Sequence, residues 1–159
     1  MPEQIAPVPP LPIEGWTDVD MPVERLWEIF LDVPAWASWN PCIWRARMRG
    51  GELREGATLV WVFNPIKRRY LYKMPAMAEI VEVVPAERVT WEVKAPGFHA
   101  LHSYKFEAGG ADRCRFGSWE VAEGASFRAM RRFWLAHFRH VRDESLAGAR
   151  GLGGQRAPR

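Results

Sequence analysis

His102 and Tyr104 stand two residues apart in the run "GFHALHSYKF", and Ser118 and Glu120 repeat that spacing in "RCRFGSWEV". If both runs are strands, period-two alternation puts Phe98, Ala100, His102, Tyr104 and Phe106 on one face. A hairpin closed through "AGGAD" pairs Glu107 with Arg113, Phe106 with Cys114, Tyr104 with Phe116, His102 with Ser118 and Ala100 with Glu120. Lys105, Glu107, Arg113 and Arg115 then face outward, and His102, Tyr104, Ser118 and Glu120 share the inner face. His102 and Glu120 become diagonal neighbours within hydrogen-bond reach. A carboxylate beside an imidazole favours imidazolium and fixes the ring, which is one way to build a general acid/base pair. Such a pair can move a proton through His102, with Tyr104 placed to polarise a carbonyl. A slip of one residue turns every one of these groups to the other face.

The same residues have a plainer reading. A histidine on an apolar face is a core residue when a neighbour such as Ser118 satisfies it, and a bulge at Gly117 would rotate Glu120 into water. His99 falls on the outer, solvent-facing side. Aromatic residues form the other candidate group: nine Trp, eight Phe and three Tyr in 159 residues can build a core or wall a small-molecule cavity. Trp61, Phe63, Trp91, Phe98, Met130, Trp134 and His137 are the candidate wall, with Ser118 as a polar contact. Trp27 belongs to the contact of a helix with the sheet. Trp36 and Trp39 are expected near a cavity mouth, and Asn40 closes a turn before Pro41.

The elements that would position these groups are legible as periodicities. "IEGWTDVD" reads as a short strand. In "MPVERLWEIFLDV", Val23, Leu26, Trp27 and Phe30 recur at helical spacing, with Pro22 in the first turn and Asp20 or a neighbour as cap. Pro34 interrupts that helix, and "PAWASWNP" is a second short one. From residue 43 the period is two: Trp44, Ala46 and Met48 alternate with Arg45, Arg47 and Arg49. The strands "ATLVWVFN", "AMAEIVEVV", "RVTWEVK", "FHALHSYKFE" and "RCRFGSWEV" follow, with turn chemistry at "PAER" and "AGGAD". "PIKRRYLYKMP" is an irregular connection or an additional short strand. A long amphipathic helix over 126–149 closes the chain, capped by Ser126, with Phe127, Met130, Trp134, His137, Phe138 and Val141 as its apolar stripe. The result is an α+β chain whose apolar sheet face needs this helix as a cover.

Charge and composition exclude other classes. The formal charge is +3, but the arginines of "RAMRRF" and "RHVR" fall between apolar positions of the last helix, as on a solvated face, and no nucleic-acid-binding motif accompanies them. Cys42 and Cys114 lie far apart and form neither a metal-type pair nor a disulfide scaffold, which suits a reducing, cytoplasmic setting. No run of eighteen apolar residues occurs and the first residues have no leader pattern, so no membrane insertion is expected. "GLGG" at 151–154 follows no strand and is not a phosphate loop.

Strand, two short helices, six antiparallel strands and a long C-terminal helix is an order that resembles the helix-grip fold of the START and birch-pollen-allergen superfamily, the SRPBCC proteins. Within it, "VDMPVERLWEIFLDVPAWASWNP", "AEIVEVVPAERVTWEV" and "GFHALHSYKFE" are similar to bacterial polyketide cyclase/dehydrase-like members. The resemblance covers about residues 13–147, between a Pro-rich, flexible segment 1–12 and a flexible tail 148–159. It implies a curved antiparallel sheet of six or seven strands, two short helices and a C-terminal helix over a deep cavity, with no metal or organic cofactor. The expected function is binding of a hydrophobic, aromatic or polycyclic, small molecule. The alternatives are a cyclase/dehydratase using His102, Tyr104 and Glu120 for enolate formation and loss of water, and a protein-interaction module in which Trp36, Trp39 and the basic C-terminal helix dock on a partner.

Overall fold

Seven antiparallel strands hydrogen-bond in the order β1-β7-β6-β5-β4-β3-β2. The computed structural model describes residues 12–64 and 73–154. The expectations for 1–11, for 65–72 of "PIKRRYLYKMP" and for 155–159 lie outside the described residues. The strands are β1 (Ile13–Val19), β2 (Ile43–Arg49), β3 (Thr58–Phe63), β4 (Met74–Val84), β5 (Arg88–Ala95), β6 (Phe98–Ala108) and β7 (Cys114–Glu123). Between β1 and β2 lie α1 (Val23–Leu31), a 3-10 turn (Val33–Ala35) and α2 (Trp36–Trp39). After β7 come α3 (Ala125–Ala129) and α4 (Arg131–Gly153). The chain has the helix-grip α+β architecture, with α4 packed on β1 and β7 and touching α2.

The apolar faces meet unequally along the sheet. Phe30 of α1 is sealed and lies within about van der Waals contact of Trp36, Tyr104 and Phe106, with ring centroids 4.9, 5.4 and 5.1 Å away. Trp27 meets Phe106 edge-on at 5.2 Å. Trp36 and Trp39 are buried in this aromatic plug, and Trp36 Nε1 donates to the Phe30 carbonyl at 2.7 Å. They are therefore core and do not flank a mouth: two large apolar rings gain more by burial against Phe30 than by display to water. A second, smaller cluster of Ala100, Ala122, Phe127 and Phe138 sits under α3 and the first turns of α4.

Several expectations are corrected by local geometry. The β6–β7 hairpin is shifted by two residues: Ala108 pairs with Cys114, Phe106 with Phe116, Tyr104 with Ser118 and His102 with Glu120. Gly109 N–H donates to the Arg113 carbonyl to close the loop, and Glu107 meets Arg115 at 3.1 Å while Arg113 turns to Asp20 at 3.5 Å. A shift of two preserves the inward face, so the inner residues stay together but in new pairs. The pairing runs through Gly117 without a register break. In β2 a bulge between Ile43 and Arg45 turns Trp44 outward, where Lys73 Nζ stands 3.2 Å from its ring centre. The first helix has Pro22 at its cap position with no side-chain cap.

The C-terminal helix is not continuous over 126–149. Its backbone leaves helical geometry at Met130 (φ −111°, ψ 28°), which resets the phase and exposes Met130. Ser126 lies within α3 and the cap position is Gly124. Gly124 has φ +108°, and a Cβ there would strike the Gly97 carbonyl, so only glycine joins β7 to α3 this way. At the far end α4 runs on to Gly153 because Leu152 packs on the core and Arg150 Nε donates to Thr17 Oγ1 at 2.8 Å. The segment 148–153 is thus helix and not tail.

Candidate functional site

Where the aromatic plug ends, the sheet and α4 part around a cavity of about 390 Å³. That lies within the roughly 300–1,000 Å³ of small-molecule sites. Trp61, Phe63, Trp91 and Phe98 border it from the sheet, and Trp134 and His137 from α4. Trp61 and Trp91 pack 6.1 Å apart, Phe98 lies 4.6 Å from Trp134, and Phe63 meets His137 edge-on at 4.7 Å. Aromatic rings on strands and helix thus form one apolar wall. Met130 takes no part, because the break in the helix turns it to solvent. Val93, Phe138 and Val141 also border the cavity. Two of them stand in the α4 stripe, and Val93 shares a strand face with Trp91 by period two. Met74 and Pro75, at the rim, had no periodic signal.

His102 and Glu120 border the cavity as direct cross-strand partners, not diagonal ones. His102 Nε2 lies 3.1 Å from Ser118 Oγ, and Nδ1 faces Glu120 Oε2 at 3.8 Å. Ser118 holds the ring from behind and does not itself border the cavity. Burial sets the charge state of the pair. Desolvation pushes the Glu120 carboxyl up to about 8. The same effect, reinforced by His137, lowers His102 to about 3. The expected imidazolium–carboxylate pair is thus replaced at neutral pH by a carboxylic acid beside a neutral imidazole, since losing water costs both ions more than their attraction returns at this distance. His137 is lowered to about 4 by burial and, secondarily, by His140.

Tyr104 does not border the cavity. Its hydroxyl lies 2.7 Å from Ser145 Oγ of α4, and Asn40 Nδ2 donates to the same oxygen at 3.0 Å. Asn40 Oδ1 accepts from Cys42 N–H at 3.2 Å and from its thiol at 3.0 Å. This buried network ties α2, β2, β6 and α4 together, so Asn40 does more than close a turn. Burial pushes the Cys42 thiol up to about 12, which keeps it protonated and unreactive. Ser145 carried no signal in the sequence, since a serine in a long helix reads as surface.

On the outer face His99 is half-buried. It bridges two carboxylates, Glu92 at 2.7 Å through Nε2 and Glu123 at 3.1 Å through Nδ1, and both raise its pKa, Glu123 the more. Among the described residues no group of three or more His, Cys, Asp and Glu is placed to hold a metal ion, and no helix is long and apolar enough to cross a membrane.

A curved antiparallel sheet gripping a C-terminal helix over an aromatic cavity defines a member of the START and birch-pollen-allergen superfamily. The chain belongs to the family described as "Polyketide cyclase / dehydrase and lipid transport", whose pattern matches residues 13–147. Among solved structures, it is similar in fold to the di-domain ARO/CYC BexL from the BE-7585A biosynthetic pathway, at 13% identity and a TM-score of 0.67, over 91% of this chain but only 46% of that one. It is likewise similar to the Zhui aromatase/cyclase from a Streptomyces species (strain R1128): 16% identity, TM-score 0.64, 91% of this chain and 93% of that one. A START superfamily protein from Mycobacterium smegmatis shares 13% identity at a TM-score of 0.61, over 91% and 97% of the two chains. No functionally curated protein matches the chain in sequence.

Proposed function

We propose that this protein binds a hydrophobic, aromatic or polycyclic, small molecule in the cavity between its sheet and α4. The observation that carries this reading is the cavity itself, about 390 Å³ walled by Trp61, Phe63, Trp91, Phe98 and Trp134. Stacking and burial against such rings supply affinity, while few polar groups orient the ligand. Both nitrogens of His102 are turned toward protein groups, as expected of a wall residue in a carrier. Burial of Trp36 and Trp39 takes the two tryptophans out of the surface that an interaction module would have presented.

A second reading, a polyketide cyclase/dehydratase-type enzyme, is favoured by one observation. Glu120 holds a proton where it meets the cavity, beside a neutral imidazole that can take one. In an enolisation the Glu120 carboxyl would give its proton to a substrate carbonyl oxygen while the neutral His102 imidazole takes the α-proton, leaving a carboxylate beside an imidazolium.

Native mass spectrometry of protein from its own host, with identification of any bound molecule, tests the first reading, together with tryptophan fluorescence on titration with naphthalene and larger fused-ring compounds. A 1:1 complex and a fluorescence change support it; no complex and no change with any of them overturn it. Turnover of a bound poly-β-ketone lost in Glu120→Gln, with binding retained, would establish the second.

A further inference from the structure

Two of the cavity's polar side chains make no hydrogen bond among the described residues. Glu120 on β7 and His137 on α4 are 9% and 4% exposed and both border the cavity. Apart from the 3.8 Å approach of His102 to Glu120, neither has a hydrogen-bond partner among the described residues. The buried side-chain polar atoms that are both sealed and unpartnered are the indole nitrogens of Trp39 and Trp134. The carboxyl of Glu120 and the imidazole nitrogens of His137 therefore face the open space of the cavity. They do so from opposite walls, sheet and helix. A buried donor or acceptor without a partner costs roughly 1–3 kcal/mol, and a ligand that satisfies both recovers that cost.

We propose that the cavity selects aromatic ligands with uncharged hydrogen-bonding oxygens at two edges, one meeting Glu120 and the other His137, and rejects their anions. This deepens the binding reading above and rests on it. Negative charge is excluded by the lining. Among the described residues its one cation, Lys94, is at the rim and already paired with Glu92 at 2.7 Å, so a buried anion finds no counter-charge among them. His102 and His137 are held neutral by burial and do not supply one. An anionic ligand would thus bring an unpaired charge into an apolar space, which is far costlier than burying a hydroxyl.

The test is a matched panel on the wild-type protein at pH 7, followed by calorimetry and tryptophan fluorescence: naphthalene, 2,6-dihydroxynaphthalene, methyl 2-naphthoate and 2-naphthoate. The diol is expected to bind about tenfold or more tighter than naphthalene, one good hydrogen bond being worth roughly that factor. The methyl ester should exceed the carboxylate by a similar factor. His137→Phe should erase most of the diol's advantage over naphthalene when both ligands are measured on that variant. Naphthalene matching the diol, or the carboxylate matching or exceeding it, overturns the inference while leaving the binding reading intact. No binding by any member, naphthalene included, overturns both.

Discussion

Glu120 stands directly opposite His102 across β6 and β7, its Oε2 3.8 Å from Nδ1 at the floor of an aromatic cavity. Both groups are desolvated by the same wall, and the wall decides their charge more than they decide each other's. The histidines should report this. In a histidine NMR titration, His99 is expected to titrate above 6.5, because Glu123 and Glu92 stabilise its charged form. His102 and His137 should keep neutral-ring shifts from pH 8 down to pH 5. A His102 midpoint above 6 would restore the imidazolium–carboxylate pair and remove the protonated acid from the site.

Linkage turns the same shifts into stability. The Glu120 carboxyl, raised to about 8, contributes stability that is present below the unfolded value of 4.5 and is lost as pH rises through 8. His102 and His137, depressed to about 3 and 4, contribute stability present above 6.5 and lost as pH falls toward those values. Two groups oppose one between 4.5 and 6.5, so thermal stability should peak between about pH 6 and 7. Glu120→Gln removes the alkaline loss. It is expected to be more stable than wild type at pH 9, by on the order of 3 kcal/mol, and to differ little at pH 5. Equal melting temperatures at pH 9 would show that Glu120 ionises freely in the folded state.

The tight crossing of α4 over α2 gives a prediction independent of charge. A Cβ at Gly148 would strike the Trp39 carbonyl and crowd the Pro41 ring. The obstacle is backbone, which cannot swing aside as a side-chain tip can. Gly148→Ala should therefore cost about 1–3 kcal/mol through overpacking, despite the better helix propensity of alanine. Calorimetric melting checks it, and an unchanged or raised melting temperature would mean that the helix can lift off α2 without loss.

The elements were readable because their periods are strong. Alternation in β6 and β7 placed His102 and Glu120 on one inward face even though their partners were misassigned, since a two-residue shift leaves facing unchanged. The failures share a cause. The bulge at Ile43 and Arg45, the break at Met130 and the join at Gly124 are single backbone events that reset phase, and periodicity averages over them. Tertiary context hid the rest. Trp36 and Trp39 look like a surface motif until Phe30 is beneath them. Ser145 looks like helix surface until Tyr104 and Asn40 converge on its oxygen. The neutral state of Glu120 follows from how deeply the cavity wall buries it, which composition does not encode.

That convergence separates a structural tyrosine from a catalytic one. Ser145 Oγ receives Asn40 Nδ2 at 3.0 Å and meets the Tyr104 hydroxyl at 2.7 Å, all buried. Ser145→Ala strands both partners and should cost about 2–4 kcal/mol, whereas Tyr104→Phe removes the hydroxyl itself and should cost about 1 kcal/mol. The double variant should cost less than the sum by at least about 0.5 kcal/mol, since both changes act on one bond. Denaturant unfolding measures all three. Because Tyr104 does not border the cavity, Tyr104→Phe should also keep the wild-type affinity for 2,6-dihydroxynaphthalene within about twofold, a change far below the roughly tenfold worth of a hydrogen bond. A large loss of affinity with little loss of stability would instead put the Tyr104 hydroxyl on the ligand and return it to the acid/base group of the site.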